Sequence, residues 1–292
     1  MTRSLDAKLD AARDALAERD GVVVAFSGGV DSSVVAALAY DALGDDAVAC
    51  TARSETLPAD ELDDAKRVAD EIGVRHETVT FSELDNPDFV ANDDDRCYHC
   101  RTMRLGRMYD VARELGIGTV CDGTNASDPG GGHRPGLRAV DELDVFSPLL
   151  AHDITKSEVR EVADRYGLSV ADKPSMACLS SRIPTGLEVT EERLSRVEKA
   201  ETLLRTWGFS QFRVRDHEGL ARIEVAPDEL DAALDTEFIR AAREHLTDAG
   251  FDHVTLDLHG YRTGSVSPDE ENEGSDPVVE NVFDREYPVS ED

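Results

Sequence analysis

The chain of 292 residues carries 62 Asp and Glu against 31 Lys and Arg, a formal net charge of −31, with 40% hydrophobic residues. That length suits one full α/β domain and a smaller second one, and the apolar content is enough for a real core, which excludes wholesale disorder. Runs such as Gly21–Phe26 are far too short to span a bilayer, and Met1–Asp6 lacks the apolar stretch of a signal peptide, so the expected location is the cytoplasm, with no membrane partner. Five cysteines in such a chain read as reduced thiols available for metal or catalysis, not as a disulfide scaffold. Acid is spread over every predicted helix, and lysine is confined to Lys8, Lys66, Lys156, Lys173 and Lys199. This pattern suits a halophilic protein, because concentrated salt shortens the range of self-repulsion.

Leu5, Leu9, Ala12 and Leu16 recur at helical spacing and predict an amphipathic helix over 5–19. Val22–Phe26 is a continuous apolar, β-branched run, as a strand buried on both faces requires. A glycine loop and an apolar helix over 32–43 follow, then a strand over 47–52, a helix over 58–72 bounded by Pro58 and Gly73, and a strand over 76–81. A helix over 101–115 leads into a short strand over 119–122. The alternation predicts a doubly wound parallel sheet, the α/β class, with this domain taken as residues 1–175. The Gly- and Pro-rich stretch 125–148 reads as a loop region, and Thr155 with Glu158 as a capping box opening a helix to Tyr166. Residues 172–186 show no periodicity, and 176–189 are expected to link the domains. Over 190–264 a helix to Trp207, strands over 212–215 and 221–225, helices near 227–235 and 237–249 and a strand over 253–258 predict a smaller α+β domain. Residues 265–292 read as an acidic, disordered tail.

Ser27-Gly-Gly-Val-Asp-Ser-Ser33 stands between the buried strand and the start of a helix. Gly28 and Gly29 let the backbone approach a ligand, the helix start adds partial positive charge, and Ser27, Ser32 and Ser33 add hydroxyls. The result is an anion cradle of pyrophosphate size, and S-G-G-x-D-S after an apolar strand is the PP-loop signature. It is neither a Walker sequence nor G-x-G-x-x-G. ATP is therefore the expected cofactor, with Asp31 placed to hold Mg²⁺. Asp122-Gly-Thr-Asn125 follows the fourth strand and is expected at the carboxyl edge of the same sheet. Ser147-Pro-Leu-Leu150 with Lys156 is similar to a segment of other PP-loop enzymes, though a solvated lysine is the competing reading.

The segment Lys173–Gly186, together with the PP-loop, Arg134-Pro-Gly136, Phe212–His217 and Ala221–Glu224, resembles the LarE family over about residues 5–264. That resemblance implies adenylation of a carboxylate of pyridinium-3,5-biscarboxylate mononucleotide and installation of sulfur as a thiocarboxylate, toward a nickel-pincer nucleotide. It also implies a homo-oligomer, since family members form hexamers. Adenylation turns a poor electrophile into a mixed anhydride that a thiolate can attack. Cys178 is the expected sulfur residue, with Ser180, Ser181 and Arg182 beside it to bind phosphate or an oxyanion. Some relatives give up the sulfur of one cysteine; others hold a 4Fe–4S cluster on three. Cys97, Cys100 and Cys178 match the second pattern, with zinc (His99 as a further ligand) and no metal as the alternatives. Cys50 and Cys121 fall in strands and read as core residues. Arg213 and Arg215 alternate on one strand face and suit the substrate phosphate, against a reading as plain ion-pair partners. Glu201 resembles a family position near that phosphate that could take a metal. His133, beside Arg134 in the glycine loop, stands near the expected ligand.

Three rival readings remain at this level. Transfer RNA thiolation would call for a basic face, and no basic run is present, so no nucleic-acid partner is expected. An amide synthesis like that of NAD synthetase leaves Cys178 and the C-x-x-C pair unused. A non-catalytic nucleotide sensor has less need of Asp31.

Overall fold

The computed structural model describes residues 3–128, 135–173 and 177–261. In chain order the elements are α1 (Leu5–Ala17), β1 (Val22–Ala25), α2 (Val30–Leu43), β2 (Ala47–Arg53), α3 (Ala59–Ile72), β3 (Arg75–Thr80), α4 (Pro87–Ala91), α5 (Arg96–Leu115) and β4 (Thr119–Cys121). They continue with α6 (Pro135–Glu142), α7 (Pro148–Ala151), α8 (Lys156–Arg165), α9 (Glu191–Trp207), β5 (Phe212–His217), β6 (Leu220–Val225), α10 (Leu230–Ala233), α11 (Thr236–Asp248) and β7 (His253–Leu256).

The first four strands form a parallel sheet in the order β3-β2-β1-β4, with Val22 opposite both Ala47 and Thr119. Helices cover both faces, which is why β1 reads as an unbroken apolar run: Val22, Val23 and Val24 are all 0% exposed. On one face α1, α2, α3 and α8 close a core around Val34, Leu38, Val68 and Val162; on the other, α5 and α6 pack Leu105, Met108 and Val140 against Val23 and Val120. The order of strands reverses at β1, with β2 on one side of it and β4 on the other, all parallel. The loops leaving β1 and β4 therefore open a crevice at the carboxyl edge, the place where open α/β sheets take ligands.

The second sheet runs β5-β6-β7, antiparallel then parallel, backed by α9 and α11. Its core is not confined to the C-terminal part. Phe89 of α4 and Leu179, Ile183 and Val189 are buried in it, so the segment expected as a linker is packed into the second core.

Most helix boundaries follow their local chemistry. Thr155 and Glu158 make the reciprocal capping box, and α3, α5 and α9 end at Gly73, Gly116 and Gly208 in the left-handed region. Three places differ from expectation. Within 125–148 lies α6, where Pro135 starts a helix instead of breaking one, as the first helical position allows. Residues 82–95 hold α4, capped by Asn86, whose side chain accepts from Asp88 N at 2.9 Å. Helix α5 begins at Arg96, five residues before the expected start, which places Cys97 and Cys100 in its first turns. The tail, His133 and Arg134 lie outside the described residues. No helix among those described is long and apolar enough to cross a membrane.

Candidate active site

The PP-loop is a closed local structure. Ser27 N donates to Ser32 Oγ at 3.2 Å, the two hydroxyls lie 3.1 Å apart, and Ser32 Oγ and Ser33 Oγ both reach Gly29 O, at 3.1 and 2.9 Å. Ser33 is fully buried and braces the loop, whereas Ser27, Gly29, Asp31 and Ser32 line the crevice. Gly28 holds φ +71, and a Cβ there would sit 2.7 Å from Ala65 Cα on α3, so glycine is needed for both conformation and packing. Because α2 begins at Val30, its free N–H groups and the positive end of its dipole face the crevice.

The loop after β4 meets this cradle. Gly123 packs so closely on α2 that a Cβ would lie 2.9 Å from Ser32 N. Asp122 accepts from Ser147 Oγ at 2.6 Å, from Thr124 Oγ1 at 2.6 Å, and from Arg101. Asn125 donates to Asp31 Oδ1 at 3.0 Å, and Lys156 at the start of α8 pairs with the other carboxylate oxygen. Lys156 is thus in the site and not a solvated surface residue.

From this cradle a cavity of about 690 Å³ extends to Cys178, with Cys97 and Cys100 also on its wall. Among the described residues five cations line it, in a chain of net charge −31: Arg96, Arg101, Arg104, Lys156 and Lys173. Lys173 is held by Glu61 and Asp64 of α3, at 2.9 and 2.8 Å. Arg104 donates from Nε to Glu83 Oε1 at 3.0 Å and from Nη2 to Thr56 Oγ1 at 2.7 Å. Glu83 itself is 0% exposed, and its second oxygen is buried with no partner.

The three thiols are not equivalent. Burial raises the pKa of Cys178, but the guanidiniums of Arg96 and Arg104, the hydroxyl of Ser180 at 3.1 Å and Arg182 outweigh it, so the thiol ionises below its ordinary value. Burial pushes Cys100 up to about 12, despite Arg104, with Cys178, Glu83 and Cys97 adding to the shift. Cys97 is exposed. Of Cys100 and Cys178, Cys178 is the one whose surroundings favour the thiolate. Among the described residues no group of three or more His, Cys, Asp or Glu side chains is gathered so as to hold a metal ion. His99 pairs with Asp95 at 3.3 Å. Cys50 and Cys121 are fully buried in the sheet, each raised to about 12 by burial, as core residues should be.

Arg182, Glu201, Arg213 and Arg215 stand at the seam between the sheets. Arg182 is 2% exposed; it pairs with Glu201 through two bonds of 2.7 and 3.0 Å and donates to Ala177 O at 2.8 Å, so it shapes the Cys178 segment from behind. Glu201 also accepts from Val214 N at 3.1 Å. Arg215 is buried against Glu224 at 2.5 Å and reaches Ser181 O at 3.3 Å, while the half-buried Arg213 donates to Tyr261 Oη at 2.9 Å. Both guanidiniums share a strand face, as expected from alternation.

Arg96, Arg101, Arg104 and Thr56 on the cavity wall, and Glu83 behind Arg104, were not legible in the sequence. A signal was present: Arg96, Cys100 and Arg104 fall at i, i+4, i+8, one face of a helix, once the helix is begun at Arg96.

Comparison with known proteins agrees with this geometry. The family described as asparagine synthase matches residues 5–109. An uncharacterized protein of Synechocystis is 42% identical over 263 residues, covering 90% of this chain and 98% of that one. The pyridinium-3,5-bisthiocarboxylic acid mononucleotide synthase of Lactiplantibacillus plantarum is 36% identical over 254 residues, covering 87% of this chain and 91% of that one. A tRNA-specific 2-thiouridylase of Parvibaculum lavamentivorans is 31% identical over 204 residues, covering 58% of this chain and 51% of that one.

Proposed function

The chain belongs to the LarE family and is an ATP-dependent PP-loop sulfurtransferase, and on that premise we propose that it converts a carboxylate of pyridinium-3,5-biscarboxylate mononucleotide to a thiocarboxylate, toward a nickel-pincer nucleotide. The observation that carries this reading is the single cavity with a pyrophosphate cradle at one end and an ionisable thiol at the other. In the first step a substrate carboxylate oxygen attacks the α-phosphorus of ATP. The bond to the β-phosphate breaks and pyrophosphate leaves into the cradle of Ser27, Gly28, Gly29 and Ser32. Asp31 would hold Mg²⁺, which would offset charge on the phosphate oxygens; Lys156, now paired with Asp31, is the cation nearest to take up a phosphate in its place.

In the second step sulfur attacks the acyl carbon, the carbon–oxygen bond to phosphate breaks, and AMP leaves. With Cys178 as donor, the acyl group is carried on Sγ. Loss of the Cα proton then breaks the Cβ–Sγ bond, releasing thiocarboxylate and leaving dehydroalanine. Ser180, 1% exposed, holds the thiolate, and Arg182 fixes the carbonyls on either side of it. Arg213 is the proposed ligand for the substrate phosphate, with Arg215, Glu224 and the Arg182–Glu201 pair as its rigid support. A cytoplasmic homo-oligomer adapted to high salt completes the proposal.

The iron–sulfur cluster is its finer part. Cys97, Cys100 and Cys178 are soft donors on one cavity wall and would hold such a cluster, which would supply an open iron for exogenous sulfide. Among the described residues these side chains are not gathered so as to hold a metal ion, and no step above depends on the cluster. Anaerobically reconstituted protein should then be brown, with about four irons per chain and repeated turnover when sulfide is supplied. A colourless protein that turns over once and loses the mass of H₂S at Cys178 would overturn the cluster and leave the cysteine itself as the donor.

A further inference from the structure

Cys178 stands in a segment with little structure of its own, a single 3-10 turn over Leu179–Arg182. Its position is imposed by residues distant in sequence. Leu179 N donates to Thr56 O at 3.0 Å, and Arg182 and Arg215 hold the side facing the second sheet. Further ties gather around Asn92 and Arg96. Asn92, at the end of α4, is 0% exposed and has φ 59. Its amide nitrogen donates to Pro184 O at 2.8 Å and Leu187 O at 2.7 Å, with Ile183 O at 3.4 Å. Its main-chain oxygen accepts from Gly186 N at 3.1 Å, and the adjacent strand-like contact from Val189 N to Val90 O is 2.9 Å. Its side-chain oxygen accepts from Arg96 Nη1, which also donates to Ser180 O at 3.0 Å.

We propose that Asn92 and Arg96 are positioning residues that clamp the 180–187 segment to the first turn of α5, and so set where Cys178 delivers sulfur. The proposal rests on the sulfur-transfer reading above. The residue types are those the task demands. A left-handed backbone favours Asn or Gly, and of these only Asn can donate to two carbonyls and accept from a guanidinium at once. Aspartate would keep the acceptor and lose both donors. At position 96 a planar guanidinium spans Asn92 Oδ1 and Ser180 O in a fixed geometry, which a lysine ammonium does not reproduce. The clamp ties α4 and α5 to the cysteine segment without touching the PP-loop. The two half-reactions should therefore separate when it is cut, since misplacement by about 1 Å can cost about 10²-fold in a reacting step.

The test uses the full chain with ATP and pyridinium-3,5-biscarboxylate mononucleotide. ATP–pyrophosphate exchange reads the first half-reaction, and single-turnover thiocarboxylate formation reads the second. Asn92→Gly keeps the backbone conformation and removes the clamp; Arg96→Gln cuts the arm to Ser180, and Arg96→Lys restores the charge alone. In Asn92→Gly exchange should stay within about twofold of wild type while thiocarboxylate formation falls about 10²-fold. In Arg96→Gln thiocarboxylate formation should fall likewise and stay low in Arg96→Lys, since charge without the planar fork does not rebuild the clamp, and full recovery in Arg96→Lys would count against it. Amide hydrogen exchange at Gly186 and Val189 should quicken in Asn92→Gly. Equal losses in both half-reactions, or undiminished sulfur delivery, would overturn the clamp. If the wild type shows no exchange with this substrate, the sulfur-transfer reading falls instead. The clamp is then decided by amide exchange, upheld if protection at Gly186 and Val189 is lost and rejected if it is kept.

Discussion

At the phosphate end of the cavity the loop is held by contacts within six residues, Ser27 to Ser32 and Ser33 to Gly29, whereas the thiol end is held by Thr56, Asn92, Arg96, Glu201 and Arg215, spread over 160 residues of chain. The first takes its shape from local bonds, to which the fold adds a helix start, a sheet edge and the packing of α3 and the loop after β4. The second exists only when both sheets and α4–α5 are in place. The phosphate end can therefore be damaged by one side chain in contact with ligand, and the thiol end from far outside it.

The largest effect should come from the phosphate end. Asp31→Ala removes the proposed Mg²⁺ ligand and should lower AMP formation about 10³-fold with little change in folding, read by pyrophosphate release. Release at the wild-type rate would remove Asp31 from the site. Gly28→Val behaves differently, because its Cβ meets the backbone of α3 and not an incoming phosphate. Its loss of activity should be accompanied by a lower melting temperature.

The thiol end is sharpened by two arginines that sequence alone makes equal. Arg215→Ala removes one of the two guanidiniums on buried Glu224, leaving only the partly exposed Arg222, and should cost at most about 3–5 kcal/mol of stability in a denaturant titration. Arg213→Ala breaks a contact to Tyr261 and should leave stability nearly unchanged, raising KM for the mononucleotide about tenfold, equivalent to about 1.4 kcal/mol. Equal destabilisation by both would show that the strand face works as one structural unit.

A smaller effect distinguishes Cys178 from an ordinary thiol. Its ionisation is favoured by nearby cations, so the pH midpoint of its alkylation should lie below the ordinary 9.0, the rate falling as pH drops through the lowered pKa. Arg96→Gln withdraws one cation and should move that midpoint up. A midpoint unmoved in the variant would show that Arg96 acts on position alone. The least effect is shared by both ends: with a net charge of −31, the melting temperature should rise between low and molar KCl. An unchanged melting temperature would reject adaptation to salt.

What the sequence discloses follows the same division. Strand β1, the loop, the start of α2 and the capping box at Thr155 depend on neighbours a few residues away, and each is legible as a pattern. Cys178 is legible through its polar, Arg-containing surroundings. Asn92 is not, because nothing local marks an asparagine that will meet residues 183–187 some ninety positions on. Glu83 is concealed in the same way, as a charged residue in an acid-rich chain that proves to be fully buried. Helix α6 escaped because Pro and Gly at its start read as loop chemistry, when Pro at a first helical turn is compatible with either.

The central claim is that the phosphate end activates a carboxylate and Cys178 supplies or transfers the sulfur. It is tested most directly by quantifying AMP, pyrophosphate and thiocarboxylate from wild type and Cys178→Ser in a single anaerobic turnover with ATP and the biscarboxylate mononucleotide. Wild type should give all three in equal amounts. Cys178→Ser should still release pyrophosphate while thiocarboxylate falls by at least about 10³-fold, the scale on which loss of a nucleophile is felt. Thiocarboxylate formed by Cys178→Ser at the wild-type rate, or ADP and phosphate in place of AMP and pyrophosphate, would contradict it.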